Sequence, residues 1–152
     1  MKSLGIFCGS HAGRGETYRT AAAQFAREVA REVGRMAQWL ARQDLQPGER
    51  FAVLLENRVE LLTLVLAARQ AGLYAAVLST HLTADEVAYI LSDSGARLVV
   101  ASTQTLPQLG ALSADPSLPC WTVDEAQAQV PSLPAALHAL QDPPVSFDDR
   151  PL

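Results

Sequence analysis

Residues 51–101 read FAVLLENRVELLTLVLAARQAGLYAAVLSTHLTADEVAYILSDSGARLVVA, and the alternation within this stretch decides the fold. Phe51–Leu55, Tyr74–Leu78 and Arg97–Ala101 are short, almost uninterrupted apolar runs, the pattern of strands buried on both faces. Between the first two runs, Asn57 is placed to cap a helix from Val59 to Gln70, and Gly72 ends it. Between the second and third, Thr83-Ala84-Asp85-Glu86 spells a capping box, in which the hydroxyl and carboxylate satisfy each other's backbone amides. That helix runs to Ser92 and closes at Gly95. Strand, helix and strand in strict alternation require a parallel sheet with right-handed crossovers.

Working outward, Leu4–Cys8 is a further apolar run that stops at the glycine-rich loop from Gly9 to Gly15. Thr17 is placed to cap a long helix. Its stripe, Tyr18, Ala22, Phe25, Val29, Val33, Met36 and Leu40, continues to about Arg42 without losing phase. The spacing predicts Phe25 and Met36 in the core and Trp39 in core or interface, and Gly34 inside the helix costs about 1 kcal/mol relative to alanine. Pro47-Gly48 is a turn. Past Ala101 the pattern predicts a short helix over 105–111, a strand over Cys120–Val123, and a helical turn or two over Asp124–Val130. Ser132 caps a last helix through Leu140, and the prolines after Asp142 make an extended tail. The fold class is therefore α/β: a Rossmann-like, doubly wound, mostly parallel sheet of about five strands with helices on both faces. It is organised as a single domain over 1–141 followed by a tail over 142–152.

Composition narrows the function classes. The 152 residues are 49% hydrophobic and 18% charged, which is too apolar for a disordered chain. Twelve basic against sixteen acidic residues give a net charge of −4, so no nucleic acid or anionic membrane partner is expected. The first apolar run meets Gly9 too early for a signal peptide, and no run is long enough to span a bilayer, so the expected location is cytoplasmic. Cys8 and Cys120 lie far apart in no metal-binding spacing, and buried reduced thiols are expected.

Few residues carry a chemical signature. His11, His81 and His138 are scattered, and no metal site is expected. His81 follows a strand, at the edge where α/β folds bind ligands. Asp85 and Glu86 form a carboxylate pair, but capping accounts for Glu86. Ser10, Ser79 and Ser94 lack a nucleophile elbow, and Asp148-Asp149 is a charged tail.

Two resemblances stand out. Residues 1–28, through Gly5-Ile6-Phe7-Cys8-Gly9-Ser10 and Tyr18-Arg19-Thr20-Ala21-Ala22, resemble the start of the LOG ("lonely guy") phosphoribohydrolases of nucleoside monophosphates. Residues 31–152 resemble the N-terminal part of an acyl-CoA synthetase of the adenylate-forming superfamily. That likeness lies in Met36-Ala37-Gln38-Trp39-Leu40, Leu45-Gln46-Pro47-Gly48-Glu49-Arg50, Val53-Leu54-Leu55-Glu56-Asn57 and the run from Leu82 to Arg97. Meeting near 28–31, inside the long helix, the two imply a folded chimeric or engineered protein built from fragments of two enzyme families.

The hydrolase resemblance carries over Gly9 and Ser10 as a nucleotide or phosphate loop. With Arg14 nearby, the loop is a candidate weak anion site, a plain strand-to-helix turn being the alternative. The hydrolases' later PGGxGTxxE motif has no match. The synthetase resemblance places the phosphate loop just beyond Phe147–Leu152, and the adenine motif and catalytic lysine further on. Neither parent's catalytic set is complete, so no catalytic residue and no cofactor are assigned. The expectation is a folded chimera without native catalysis. The alternatives are a weak nucleotide- or phosphate-binding module and, further off, a LOG-like hydrolase. Homodimerisation is expected, through the long helix near Trp39 and Leu40, because apolar surface and sheet edges would be uncovered.

Overall fold

A computed structural model describes residues 16–140. The chain runs α1 (Glu16–Leu40), β1 (Arg50–Leu54), α2 (Val59–Ala71), β2 (Tyr74–Val77), α3 (Ala84–Ser94), β3 (Val99–Ala101), α4 (Leu106–Leu109), a 3₁₀ turn (Gly110–Ala114), β4 (Cys120–Thr122) and α5 (Leu133–His138). All strands are parallel and the order is β2-β1-β3-β4. The doubly wound α/β class is as expected. The sheet has four strands among the described residues rather than five, and the Leu4–Cys8 segment lies outside them.

Side-chain alternation on the strands builds two cores. Phe51, Val53, Leu55 and Val100 face α1, α2 and α5, while Ala52, Leu54, Val99 and Ala101 face α3 and α4. The central strands β1 and β3 are therefore apolar at every buried position, which is why their runs read as continuous. Gly72 (φ 74°) and Gly95 (φ 64°) take the left-handed conformation that ends α2 and α3, as their placement predicts. The Thr83–Glu86 capping box forms in full. Trp39 is buried edge-to-face against Trp121, with ring centroids 5.3 Å apart.

Four local expectations are corrected. The long helix is continuous through the buried Gly34. However, the chain's own layers cover it only from Val29 onward, so Phe25 is 49% exposed and is not core. Trp39 and Leu40, expected at a dimer contact, are 2% and 0% exposed and thus already used inside the chain. Asn57 does not cap α2; Arg58 holds that position and makes no side-chain cap. Residues 124–130 form no helix, because Ala128 is left-handed (φ 46°) and Gln127 and Val130 exchange backbone hydrogen bonds across a tight turn.

Candidate functional site

The order β2-β1-β3-β4 reverses direction at β1, since the chain moves to β2 on one side and then to β3 on the other. The C-terminal ends of β1 and β3 thus flank a topological switch point, where open parallel sheets characteristically bind ligands. The residues following these strands form a polar cluster there. Ser102 Oγ donates to Glu56 Oε1 at 2.8 Å, bridging the two strand ends. Thr105, fully buried, donates to the Leu54 carbonyl at 2.6 Å and accepts from the Ser102 amide at 3.0 Å. This explains why Thr105 fixes the start of α4 without capping it. Gln108 donates from Nε2 to the Thr80 carbonyl at 2.7 Å, tying α4 to the loop after β2. Glu56 Oε2 and Gln108 Oε1 are buried and lack a hydrogen-bond partner.

Thr105→Val should test this cluster. It removes one donor and one acceptor from a closed site, so a loss of about 1–3 kcal/mol is expected in urea denaturation. An unchanged midpoint would mean that the two bonds do not form.

A second group joins the loops after β1, β3 and β4. Arg58 donates to Asp124 at 2.8 Å and to Glu60 at 3.3 Å, and the Thr103 amide donates to the other Asp124 oxygen at 2.8 Å. Burial pushes the Asp124 carboxyl up, but the Thr103 amide and the Arg58 guanidinium outweigh it and hold it below the usual range. Asp124 itself holds the Arg58 pKa above its ordinary value. A carboxyl depressed in the folded state stabilises the fold above its unfolded pKa of about 4 and loses that contribution as pH falls through the folded value. Asp124→Asn should therefore cost about 1 kcal/mol at neutral pH, with allowance for solvent screening of the partly exposed pair. The gap between variant and wild type should close as pH drops below about 4. A gap independent of pH would argue against the ion pair.

Beside this group, a cleft of about 240 Å³ opens between α1 and α5. Glu32, Arg35, Glu60 and His138 line it together with apolar Met36 and Leu133.

The residues singled out from sequence are dispersed. Gly9, Ser10 and Arg14 lie outside the described residues, as do Cys8, His11, Asp148 and Asp149. His81 is exposed on the loop after β2, at the expected edge, with its amide donating to Ser79 Oγ at 3.3 Å. Ser94 Oγ donates to the Leu91 carbonyl. Glu86 is held below the usual carboxylate range by the Thr83 amide and hydroxyl. Cys120 is buried, which pushes its thiol up to about 11. Among the described residues no group of three or more His, Cys, Asp or Glu side chains is placed to hold a metal ion, and no helix is long and apolar enough to cross a membrane. The switch-point residues Glu56, Ser102 and Thr105 escape a motif search because they share no spacing. What unites them is that Glu56 and Ser102 each follow a strand end.

A parallel sheet whose order reverses at β1, with a polar cluster at that switch point, defines an open doubly wound α/β unit. The profile of the AMP-binding enzyme family matches residues 21–149, and the chain belongs to that family. It is 36% identical over 88 residues to the 4-hydroxybenzoate–CoA/benzoate–CoA ligase of Rhodopseudomonas palustris, covering 58% of this chain and 16% of that protein. Against the long-chain-fatty-acid–CoA ligase FadD13 of Mycobacterium tuberculosis it is 34% identical over 90 residues, covering 59% of this chain and 18% of the other. The crystal structure of the N-terminal domain of FACL13 from Mycobacterium tuberculosis superposes with a TM-score of 0.66 and 28% identity, covering 80% of this chain and 31% of that one. The chain thus spans less than a fifth of the two curated relatives.

These matches correct the functional expectation. The family match begins at residue 21, inside the segment 1–28 read as hydrolase-like and ahead of the supposed junction at 28–31. Helix α1 from there on is ligase-family sequence, so its length needs no second parent. The chain is a ligase-family α/β unit rather than an engineered chimera or a LOG-like hydrolase.

The switch-point edge does not fit a nucleotide's phosphates. It presents the carboxylates of Glu56 and Asp124, while the guanidinium of Arg58 is held by Asp124 and Glu60.

Proposed function

We propose that this chain forms the N-terminal α/β layer of an adenylating enzyme that joins a carboxylic acid to coenzyme A, and that it does not catalyse this reaction alone. The observation that carries the reading is the family match over residues 21–149, which takes in all four strands of the sheet. The ligases it resembles are named for aromatic acids and for long-chain fatty acids, so the substrate class is a carboxylate with an apolar body. On this reading the chain's residues supply a rigid sheet and a polar rim, and groups elsewhere in the fold handle ATP.

The test is a graft. The 152-residue chain replaces the matched segment of the Rhodopseudomonas ligase, and thioester formation from benzoate, ATP and CoA is followed. The chain alone should form no thioester, and the hybrid should be folded and form it. A folded hybrid without turnover, or turnover by the chain alone, would overturn the proposal.

A further inference from the structure

The cleft between α1 and α5 takes no part in the switch-point cluster. Glu32, Arg35 and Met36 stand one turn apart on α1 and so share a face of that helix. On α5, Leu133 and Leu137 are four residues apart, as are Pro134 and His138, so each pair points to one side. Ser132 holds α5 in place, its Oγ donating to the Asp124 carbonyl at 2.8 Å. Glu60, at the start of α2, completes the rim. The walls therefore come from three helices that the fold itself fixes.

Floor and rim differ in character. Met36, Leu133 and Leu137 form an apolar floor and are buried. Glu32 and His138, one on each wall, make no hydrogen bond or ion pair among the described residues. Glu60 accepts from Arg58 Nε and Nη2 at 3.3 and 3.4 Å, long contacts that leave lone pairs on both carboxylate oxygens. Arg35 is already engaged. The rim thus offers hydrogen-bond acceptors: one carboxylate with no partner, a second with spare capacity, and an imidazole nitrogen. Two carboxylates against one guanidinium also leave it net negative.

We propose that this cleft binds a small primary amine with an apolar body. An ammonium group carries three donors and no acceptor, which matches a rim of acceptors, and its charge is opposite to the rim's. The volume of about 240 Å³ is that of roughly eight waters at about 30 Å³ each, enough for one small ring on the apolar floor. A carboxylate in the same place would face Glu32 and Glu60 and be repelled. The ligand is therefore opposite in charge to the carboxylic acid substrate proposed for the whole enzyme, and its binding needs only this chain.

The test is a titration of the isotope-labelled 152-residue chain with benzylamine, followed by amide chemical shifts. Benzyl alcohol and benzoate, of the same ring and similar size, are the controls. Saturable shifts confined to residues 32–36, 60 and 133–138 are expected, with a dissociation constant of about 1 mM for so small a ligand. Benzyl alcohol and benzoate should each bind about fivefold more weakly or not at all, lacking the charge-assisted bond. Glu32→Gln keeps the shape of the rim and removes its charge, and should weaken benzylamine by about fivefold. His138→Phe keeps the ring and removes the acceptor, and should weaken benzylamine while leaving benzyl alcohol unchanged. Circular dichroism should be that of the wild type in both variants.

Benzylamine that produces no saturable shift at these residues would overturn the proposal, as would shifts centred elsewhere. Benzoate or benzyl alcohol binding there as tightly as the amine would also overturn it, because the acceptor rim would then select nothing. So would a folded Glu32→Gln variant with unchanged affinity. None of these results bears on thioester formation by the hybrid, so the ligase reading stands or falls separately.

Discussion

Phe51→Ala is expected to destabilise the chain by about 3–5 kcal/mol, the range for removing a large aromatic side chain from a packed interior. Phe51 is fully buried on β1, between the strands on either side and the layer made by α1, α2 and α5. Its ring is therefore surrounded by elements that cannot close the space without moving the central strand. Urea denaturation followed by circular dichroism measures the loss. A cost below about 1 kcal/mol would place β1 at the periphery rather than the centre of the sheet.

Met36→Ala should cost about 2–5 kcal/mol, because the side chain is 1% exposed at the seam between α1 and the sheet. Phe25→Ala, about three turns earlier on the same stripe, should cost less than about 1 kcal/mol, since about half of Phe25 already faces water. The contrast is the informative quantity. Equal losses at the two positions would mean that the first half of α1 is buried by something beyond the chain's own core. Together the two variants locate the point, near Val29, where α1 begins to pack.

That contrast also shows what the sequence could and could not reveal. Periodicity recognised the phase of α1 correctly, since Val29, Val33, Met36 and Leu40 all lie on its buried side. Phase says nothing about how far the neighbouring layers extend, and Phe25 was misplaced for that reason. Capping chemistry was legible where side chain and backbone satisfy each other locally, as at Thr83–Glu86 and Ser132. It misled at Asn57: α2 begins at Val59 as expected, but the N-cap position falls one residue later than Asn57, on Arg58, which spends its donors on Asp124, 66 positions away, and on Glu60. The candidate site was less legible than the fold. Glu56 and Ser102 meet only because β1 and β3 are neighbours, and strand order is a long-range property that local pattern does not encode. The likeness to acyl-CoA synthetases was readable from residues 36–97. The family match starts at residue 21, ahead of the boundary read at 28–31, because a long amphipathic helix offers few distinctive residues by which to assign it to one family.

The strand order underlies the switch-point site, and cross-strand nuclear Overhauser effects measure it directly. Val53 should show contacts to both Val77 on β2 and Val100 on β3, its register partners on either side. If Val53 instead contacts β2 alone, with β3 stacked beyond β2, the sheet has no reversal at β1. The Glu56–Ser102 bridge would then be wrong.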